Sequence, residues 1–249
     1  MVILLTNDDG IYSEGIRTLH KRLGKTHEVY IVAPERERTC IAHAITLHKP
    51  LRIYRAGVRT FATNGTPTDC VYLGVKVVIK KKPDLLISGL NEGPNMGQDI
   101  HYSGTVAAAK EGAFLGIPSL AVSIDGRKNF QFHTAVRVVE DLIEKVAHIP
   151  FIDGTYLNIN IPNVPYERIQ GFAVTKLGKR IYNDTVIERT DPRGGKYYWI
   201  GGNEECYAPV RGTDFYAVAR GFVSVTPLGL DTTSRVSFEH YKKYFRRQS

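Results

Sequence analysis

The sequence predicts an α/β protein: a Rossmann-like, mostly parallel sheet flanked by helices, followed by a C-terminal β-rich extension and a terminal helix. Three observations carry this. Apolar β-rich runs alternate with stretches of helical periodicity up to Pro150; helix signals thin out beyond it; and glycine-bearing polar loops fall where the apolar runs stop.

The first strand is read at Val2 to Leu5, a helix at Ile11 to Leu23 and a second strand at Val29 to Val32. Thr66 before Pro67 marks a helix start, because threonine is a good N-cap and proline suits the first helical position. A strand at Leu85 to Ile87, a helix opening near Ser103, a strand at Leu120 to Ser123 and a helix over about Phe130 to Val146 continue the rhythm. Such alternation places ligands beyond the carboxyl ends of the strands. After Pro150, strands are read at Tyr156 to Ile161, Phe172 to Thr175, Lys196 to Ile200 and Phe222 to Val225, separated by Gly, Pro, Asn and Asp. A short helix near Val236 to Phe245 carries Lys242, Lys243, Arg246 and Arg247, charges read as a solvated face or as partners of the helix dipole. The organisation expected is a core over residues 1–150 and an extension over 151–249 that completes the fold and mediates oligomerisation.

The chain has 249 residues, 43% of them apolar and 23% charged, which is enough for a sizeable core and unlike a disordered composition. No leader is read before Asn7 and no apolar run reaches the roughly 18 residues of a membrane span. Cys40, Cys70 and Cys206 lie far apart, which argues against a disulfide framework and a cysteine zinc site and fits a reducing cytoplasm. The net charge of +8 favours anionic partners without choosing between phosphate esters and nucleic acid.

The chemistry-bearing residues sit at strand ends. In Thr6-Asn7-Asp8-Asp9-Gly10 two acids follow an apolar strand directly. Where the chain turns, both carboxylates can reach one site, and a bound Mg²⁺ or Mn²⁺ would offset their repulsion. An Asx turn capping the next helix accounts for the same residues equally well. In Ser88 to Gly97, Asn91 and Asn95 stand among three glycines and a proline, able to offer amide oxygens to a metal or amide donors to a phosphate. Ser103, Gly104 and Thr105 open a helix whose N-terminus suits an anion, with capping by Ser103 as the plainer role. Thr39, after the second strand, could give a metal a hydroxyl oxygen, while Arg36 and Arg38 read as surface charge. His43 and His101 are acid–base candidates by type alone.

These segments together resemble the SurE (survival protein E) family, stationary-phase nucleotidases. The resemblance runs through TNDDGIYSEGI, VAPERERT, NGTPTDCVYLG, SGLNEGPNMGQDIHYSGTVAAAKEG, LNINIP, DPRGGKYYWIG and TDFYAVARGFVSVTPL, nearly end to end. It implies a metal-dependent 5′-nucleotidase using one divalent ion per subunit, Mg²⁺ or Mn²⁺, with 3′-nucleotides and polyphosphate ends as further substrates. The implied metal ligands are Asp8, Asp9, Thr39 and Asn91, with threonine standing where the family usually has serine. The implied phosphate neighbours are Asn95, Ser103, Gly104 and Thr105, and either aspartate could act as base or nucleophile. A homodimer or homotetramer is implied too, with residues Gly178 to Gly202 and the terminal helix as the exchanging elements.

Two other classes of protein fit parts of the sequence. A nucleic-acid-binding protein would suit the basic pI, the Lys80 to Lys82 run and fourteen tyrosines, but the basic residues form no continuous stripe. A dinucleotide-dependent oxidoreductase would suit the βαβ start, yet Asp-Asp-Gly stands where a glycine-rich turn should meet the pyrophosphate.

Overall fold

The computed structural model describes residues 1–147, 149–181, 186–200 and 206–245, and the elements counted below are those of the described residues. In chain order the first half contains β1 (Val2–Thr6), α1 (Glu14–Leu23), β2 (Glu28–Pro34), β3 (Ile53–Gly57), β4 (Thr60–Thr63), α2 (Pro67–Leu73), β5 (Leu85–Glu92), α3 (Gly104–Phe114), β6 (Ser119–Asp125) and α4 (Phe132–Val146). The second half adds β7 (Thr155–Pro162), β8 (Phe172–Val174), β9 (Arg180–Ile181), β10 (Val186–Thr190), β11 (Lys196–Ile200), β12 (Cys206–Tyr207), α5 (Asp214–Val218), β13 (Val223–Gly229) and α6 (Arg235–Lys242).

One nine-stranded sheet runs in the order β3-β4-β2-β1-β5-β6-β7-β13-β8. The stretch β4-β2-β1-β5-β6-β7 is parallel throughout. In their own succession these strands lie third, second, first, fourth, fifth, sixth, which is the doubly wound Rossmann order. β3 joins β4 antiparallel at one edge, and β13 joins β7 antiparallel at the other. The sheet therefore continues across residue 150, with β7 as its last parallel strand.

Alternation along β1 decides which face each helix covers. Ile3 and Leu5 point to the side taken by α1 and α4, where Ile16, Leu19, Val138, Val139 and Leu142 bury themselves. Leu4 points to the opposite side, against Cys70 and Val71 of α2 and Ala108 of α3. A parallel strand is covered on both faces, so β1 and the start of β5 (Leu85 to Ile87) read as continuous apolar runs and the middle of β6 (Leu120 to Val122) does the same. α2 starts where the sequence predicts: the Thr66 hydroxyl accepts from Asp69 N at 3.1 Å, and Asp69 accepts from Thr66 N at 2.9 Å, a closed capping box.

The second half departs in detail from its prediction. β10 and β11 form a hairpin that pairs with no other strand among the described residues, and β9 pairs with β12. The terminal helix spans Arg235–Lys242, shorter than the sequence suggests. Within the Gly178 to Gly202 stretch, residues 182–185 and 201–202 lie outside the described residues, as do Arg246 and Arg247. No helix of the described residues is long and apolar enough to cross a membrane.

Candidate active site

The sheet order reverses between β1 and β5, and the carboxyl ends of these two neighbours part there to leave a crevice. β1 stops at Thr6 and the chain turns at once. Asn7, fully buried, holds the turn: its Nδ2 donates to the Gly10 carbonyl at 3.0 Å and to Ser13 Oγ at 2.8 Å, while its Oδ1 accepts from Gly10 N at 3.2 Å. Gly10 adopts φ +98°, and a Cβ on it would stand 3.2 Å from the carbonyl carbon of Arg36. The turn thus rests on Asn7 and Gly10, and both aspartates between them line the crevice. The Asp8 carbonyl accepts from Arg38 N at 2.7 Å, which ties this turn to the loop after β2.

Asp8 lies against the start of α3. The Thr105 hydroxyl donates to Asp8 Oδ1 and stands 3.3 Å from Asn91 Oδ1. Backbone N–H groups of Gly104 and Thr105 also face this carboxylate, so the positive end of the helix meets Asp8. Only glycine permits the approach: a Cβ on Gly104 would lie 2.8 Å from Asp8 Cβ and 2.9 Å from Asp8 Oδ2. Burial nevertheless raises the pKa of Asp8, and the hydrogen bonds from Thr105 and the helix work against that rise.

Asp9 is less tied. Burial, followed by repulsion from Asp8, Glu92 and Glu37, pushes its carboxyl from 3.8 up to about 7. Among the described residues Asp9 Oδ2 is buried without a hydrogen-bond partner, and no Lys, Arg or His forms an ion pair with either aspartate. A buried carboxylate beside a half-buried one, neither ion-paired among the described residues, is an arrangement that a bound cation would complete.

Asp8, Asp9, Thr39, Asn91, Asn95 and Ser103 all line one cleft of about 680 Å³. Asn91 Nδ2 donates to the Gly93 carbonyl at 2.8 Å, and its Oδ1 is the atom near Thr105. The Thr39 hydroxyl donates to the Glu37 carboxylate at the exposed rim. Ser103 caps α3 by accepting from Val106 N at 3.1 Å, the plainer of its predicted roles, and also lines the cleft. Gly104 and Thr105 sit one layer deeper: Thr105 is fully buried and reaches the cleft through Asp8 and Asn91. The amides, hydroxyls and carboxylates together are hard oxygen donors of the kind Mg²⁺ and Mn²⁺ prefer. Among the described residues no group of three or more His, Cys, Asp or Glu is gathered for a metal, at this cleft or elsewhere, so a cation here would rely on two carboxylates with amide and hydroxyl oxygens.

A roomier hollow of about 850 Å³ lies between α1 and the β3–β4 edge, but Tyr12, Arg17, His20 and their neighbours there include none of the strand-end residues. Chemistry, rather than volume, selects the smaller cleft. His43 meets Glu111 at 3.0 Å and, like His101, does not line that cleft. The Arg38 guanidinium donates to the Asn64 carbonyl at 2.8 Å, a structural tie. Sequence reasoning missed Asn7 as the turn's anchor and missed Ser123, Asn158 and Asn160 beneath Asn95. Polar residues in otherwise apolar strands, two apart on β7, were the available signal.

The mostly parallel sheet with its order reversed between β1 and β5 defines a Rossmann-like α/β protein, and the oxygen-lined cleft lies at the crevice where that class binds ligands. A family model described as "Survival protein SurE" matches residues 3–184, and the chain belongs to the SurE family. It is 44% identical to a 5′-nucleotidase SurE of Citrifermentans bemidjiense, over 98% of this chain and 99% of that protein. It is also 44% identical to a 5′/3′-nucleotidase SurE of Proteus mirabilis, over 98% of this chain and 96% of the relative. The crystal structure of the SurE protein from Aquifex aeolicus superposes with a TM-score of 0.89 at 45% identity, covering 98% of this chain and 99% of that one.

Proposed function

We propose that this chain is a divalent-metal-dependent nucleotidase that hydrolyses nucleoside 5′-monophosphates to nucleoside and inorganic phosphate, with 3′-monophosphates and polyphosphate ends as further substrates. One observation carries the reading: two adjacent carboxylates, Asp8 buried and Asp9 half-buried with a buried Oδ2, lie without an ion-pair partner among the described residues beside amide and hydroxyl groups at a helix N-terminus. The names of relatives that match nearly end to end support the reaction class, one as a 5′-nucleotidase and one as a 5′/3′-nucleotidase.

Asp8, Asp9, Asn91 and Thr39 would hold one Mg²⁺ or Mn²⁺ per subunit. The ion's chemistry when bound is to offset the charge of the phosphoryl group. The chain's own residues do the rest. Asn95 and Ser103 line the cleft as donors for phosphoryl oxygens. Thr105 and the α3 amides fix the orientation of Asp8. Asp9, with an unsatisfied Oδ2, is the carboxylate able to take the proton of an attacking water. Assembly as a homodimer or homotetramer through the β10–β11 hairpin and α6 belongs to the same reading, as do a cytoplasmic location and the absence of a stable nucleic-acid complex.

Phosphate release from nucleoside 5′- and 3′-monophosphates and short polyphosphate, measured with Mg²⁺, with Mn²⁺ and with chelator, tests it. Activity on the monophosphates that chelator abolishes is expected. Full activity in chelator, or none on any nucleotide with either ion, would overturn the proposal.

A further inference from the structure

Asn95 is held from below by a row of buried polar side chains that lies outside the proposed metal ligands. The sheet register sets Asn91 on β5 beside Ser123 on β6, Ser123 beside Asn160 on β7, and Ala121 beside Asn158. Ser123, Asn158 and Asn160 are fully buried, and all three reach Asn95. Asn160 Oδ1 accepts from Asn95 N at 2.8 Å. Asn160 Nδ2 and Asn158 Nδ2 both donate to the Asn95 carbonyl, at 2.9 and 2.8 Å. Asn95 Nδ2 donates to Ser123 Oγ at 2.8 Å. Two residues on, Asp214 Oδ2 accepts from Gly97 N at 2.8 Å while its Oδ1 accepts from Gly178 N at 2.7 Å.

Burying two amide side chains in the sheet is unfavourable unless they are bonded; here the bonds they make converge on a single residue, Asn160 using both its polar atoms and Asn158 only its Nδ2, with Asn158 Oδ1 left without a partner. An amide nitrogen carries two hydrogens, so with one spent on Ser123 the other remains for a ligand in the cleft. We infer that Asn158 and Asn160 are positioning residues for Asn95, fixing its main chain so that its amide faces the phosphoryl group. The inference rests on the nucleotidase reading. The two residues are unequal: the Asn95 carbonyl keeps one donor if either asparagine is lost, whereas its N–H has Asn160 alone among the described residues.

The test compares Asn160→Ala, Asn158→Ala and the parent for phosphate affinity by calorimetry with Mg²⁺, KM for adenosine 5′-monophosphate, Mn²⁺ affinity by proton relaxation, and melting temperature. Phosphate Kd and KM rise about tenfold in Asn160→Ala and about threefold in Asn158→Ala, with Mn²⁺ affinity held within about twofold. A merely structural role lowers the melting temperatures without separating phosphate from Mn²⁺ affinity. Folded variants with parental phosphate affinity, or with both affinities falling together, overturn the inference. If Asn160→Ala does not fold, Asn160→Ser and Asn158→Ala decide by the same readouts. A parent that turns over beside unaffected variants fails this inference alone. A parent that binds phosphate without releasing any from nucleotides fails the nucleotidase reading, and calorimetry still decides this one; a parent that binds no phosphate overturns it.

Discussion

The hydroxyl of Thr105 donates to Asp8 Oδ1, joining two residues 97 positions apart at the foot of the cleft. It also lies 3.3 Å from Asn91 Oδ1, so one fully buried hydroxyl stands between two of the oxygen groups that face the cleft. Supports of this kind orient ligands and are worth about 10- to 100-fold in metal affinity or activity. Thr105→Val keeps the shape and removes the hydroxyl. Mn²⁺ affinity and phosphate release fall by about 10-fold or more, as calorimetry and a phosphate assay would read; parental values in both would show that Asp8 needs no such support.

Asp9 gives a prediction with a definite sign. Its folded carboxyl is raised to about 7 from 3.8, so between these values the unfolded chain is ionised at Asp9 while the folded chain still holds the proton. The unfolded state then binds fewer protons, and Asp9's contribution to stability falls as pH rises through that window, levelling off above it. The metal-free protein should therefore lose melting temperature at this site between about pH 4 and about pH 7, and Asp9→Asn should lessen the slope. Divalent-ion affinity runs the other way, tightening as Asp9 loses its proton. Asp9→Asn abolishes metal-dependent phosphate release while the chain remains folded; near-parental activity would remove Asp9 from the site.

What was legible in the sequence was local. The cap of Thr66 before Pro67, the cap of Ser103 and the apolar run of β1 each state themselves within a few residues. Asp8 and Asp9 were legible because they follow a strand end, though the turn that shares their motif proved to belong to Asn7. The β3–β4 edge escaped because β3 is largely exposed and carries no apolar period, and α5 because five residues hold little helical signal. Thr105 could be placed near the site but not beneath Asp8, since its partner arrives from another strand. Asn160 reaches Asn95 across 65 positions, through the sheet register and the loop that follows β5. No window of sequence contains such a pair.

The β10–β11 hairpin presents Trp199 at 64% exposure and Ile200 at 93%, and it pairs with no further strand among the described residues. Isolated two-stranded hairpins are marginal in water, so this one calls for a cover. Light scattering of the parent at micromolar concentration should return a dimer or tetramer. Trp199→Ser with Ile200→Ser weakens that assembly by about tenfold or more, as burying two large apolar side chains is worth about 1.5–3 kcal/mol each. A monomeric parent, or an assembly indifferent to both substitutions, would assign the interface elsewhere.

Gly104 sets how closely α3 approaches Asp8. A methyl group there would lie 2.8 Å from Asp8 Cβ, inside any ordinary carbon contact, and neither partner can yield easily. Asp8 is held by Thr105 and by its backbone bond to Arg38, while α3 is fixed by Val106 and Ala108 packed into the sheet. Alanine favours a helix over glycine by about 1 kcal/mol, so propensity alone predicts that Gly104→Ala stabilises the chain. Overpacking of this kind costs about 1–3 kcal/mol, which outweighs the propensity gain. Gly104→Ala should therefore melt lower than the parent and lose phosphate release at saturating substrate, because the displaced carboxylate is Asp8 itself. A variant that melts higher and remains fully active would show that α3 has room to retreat from Asp8.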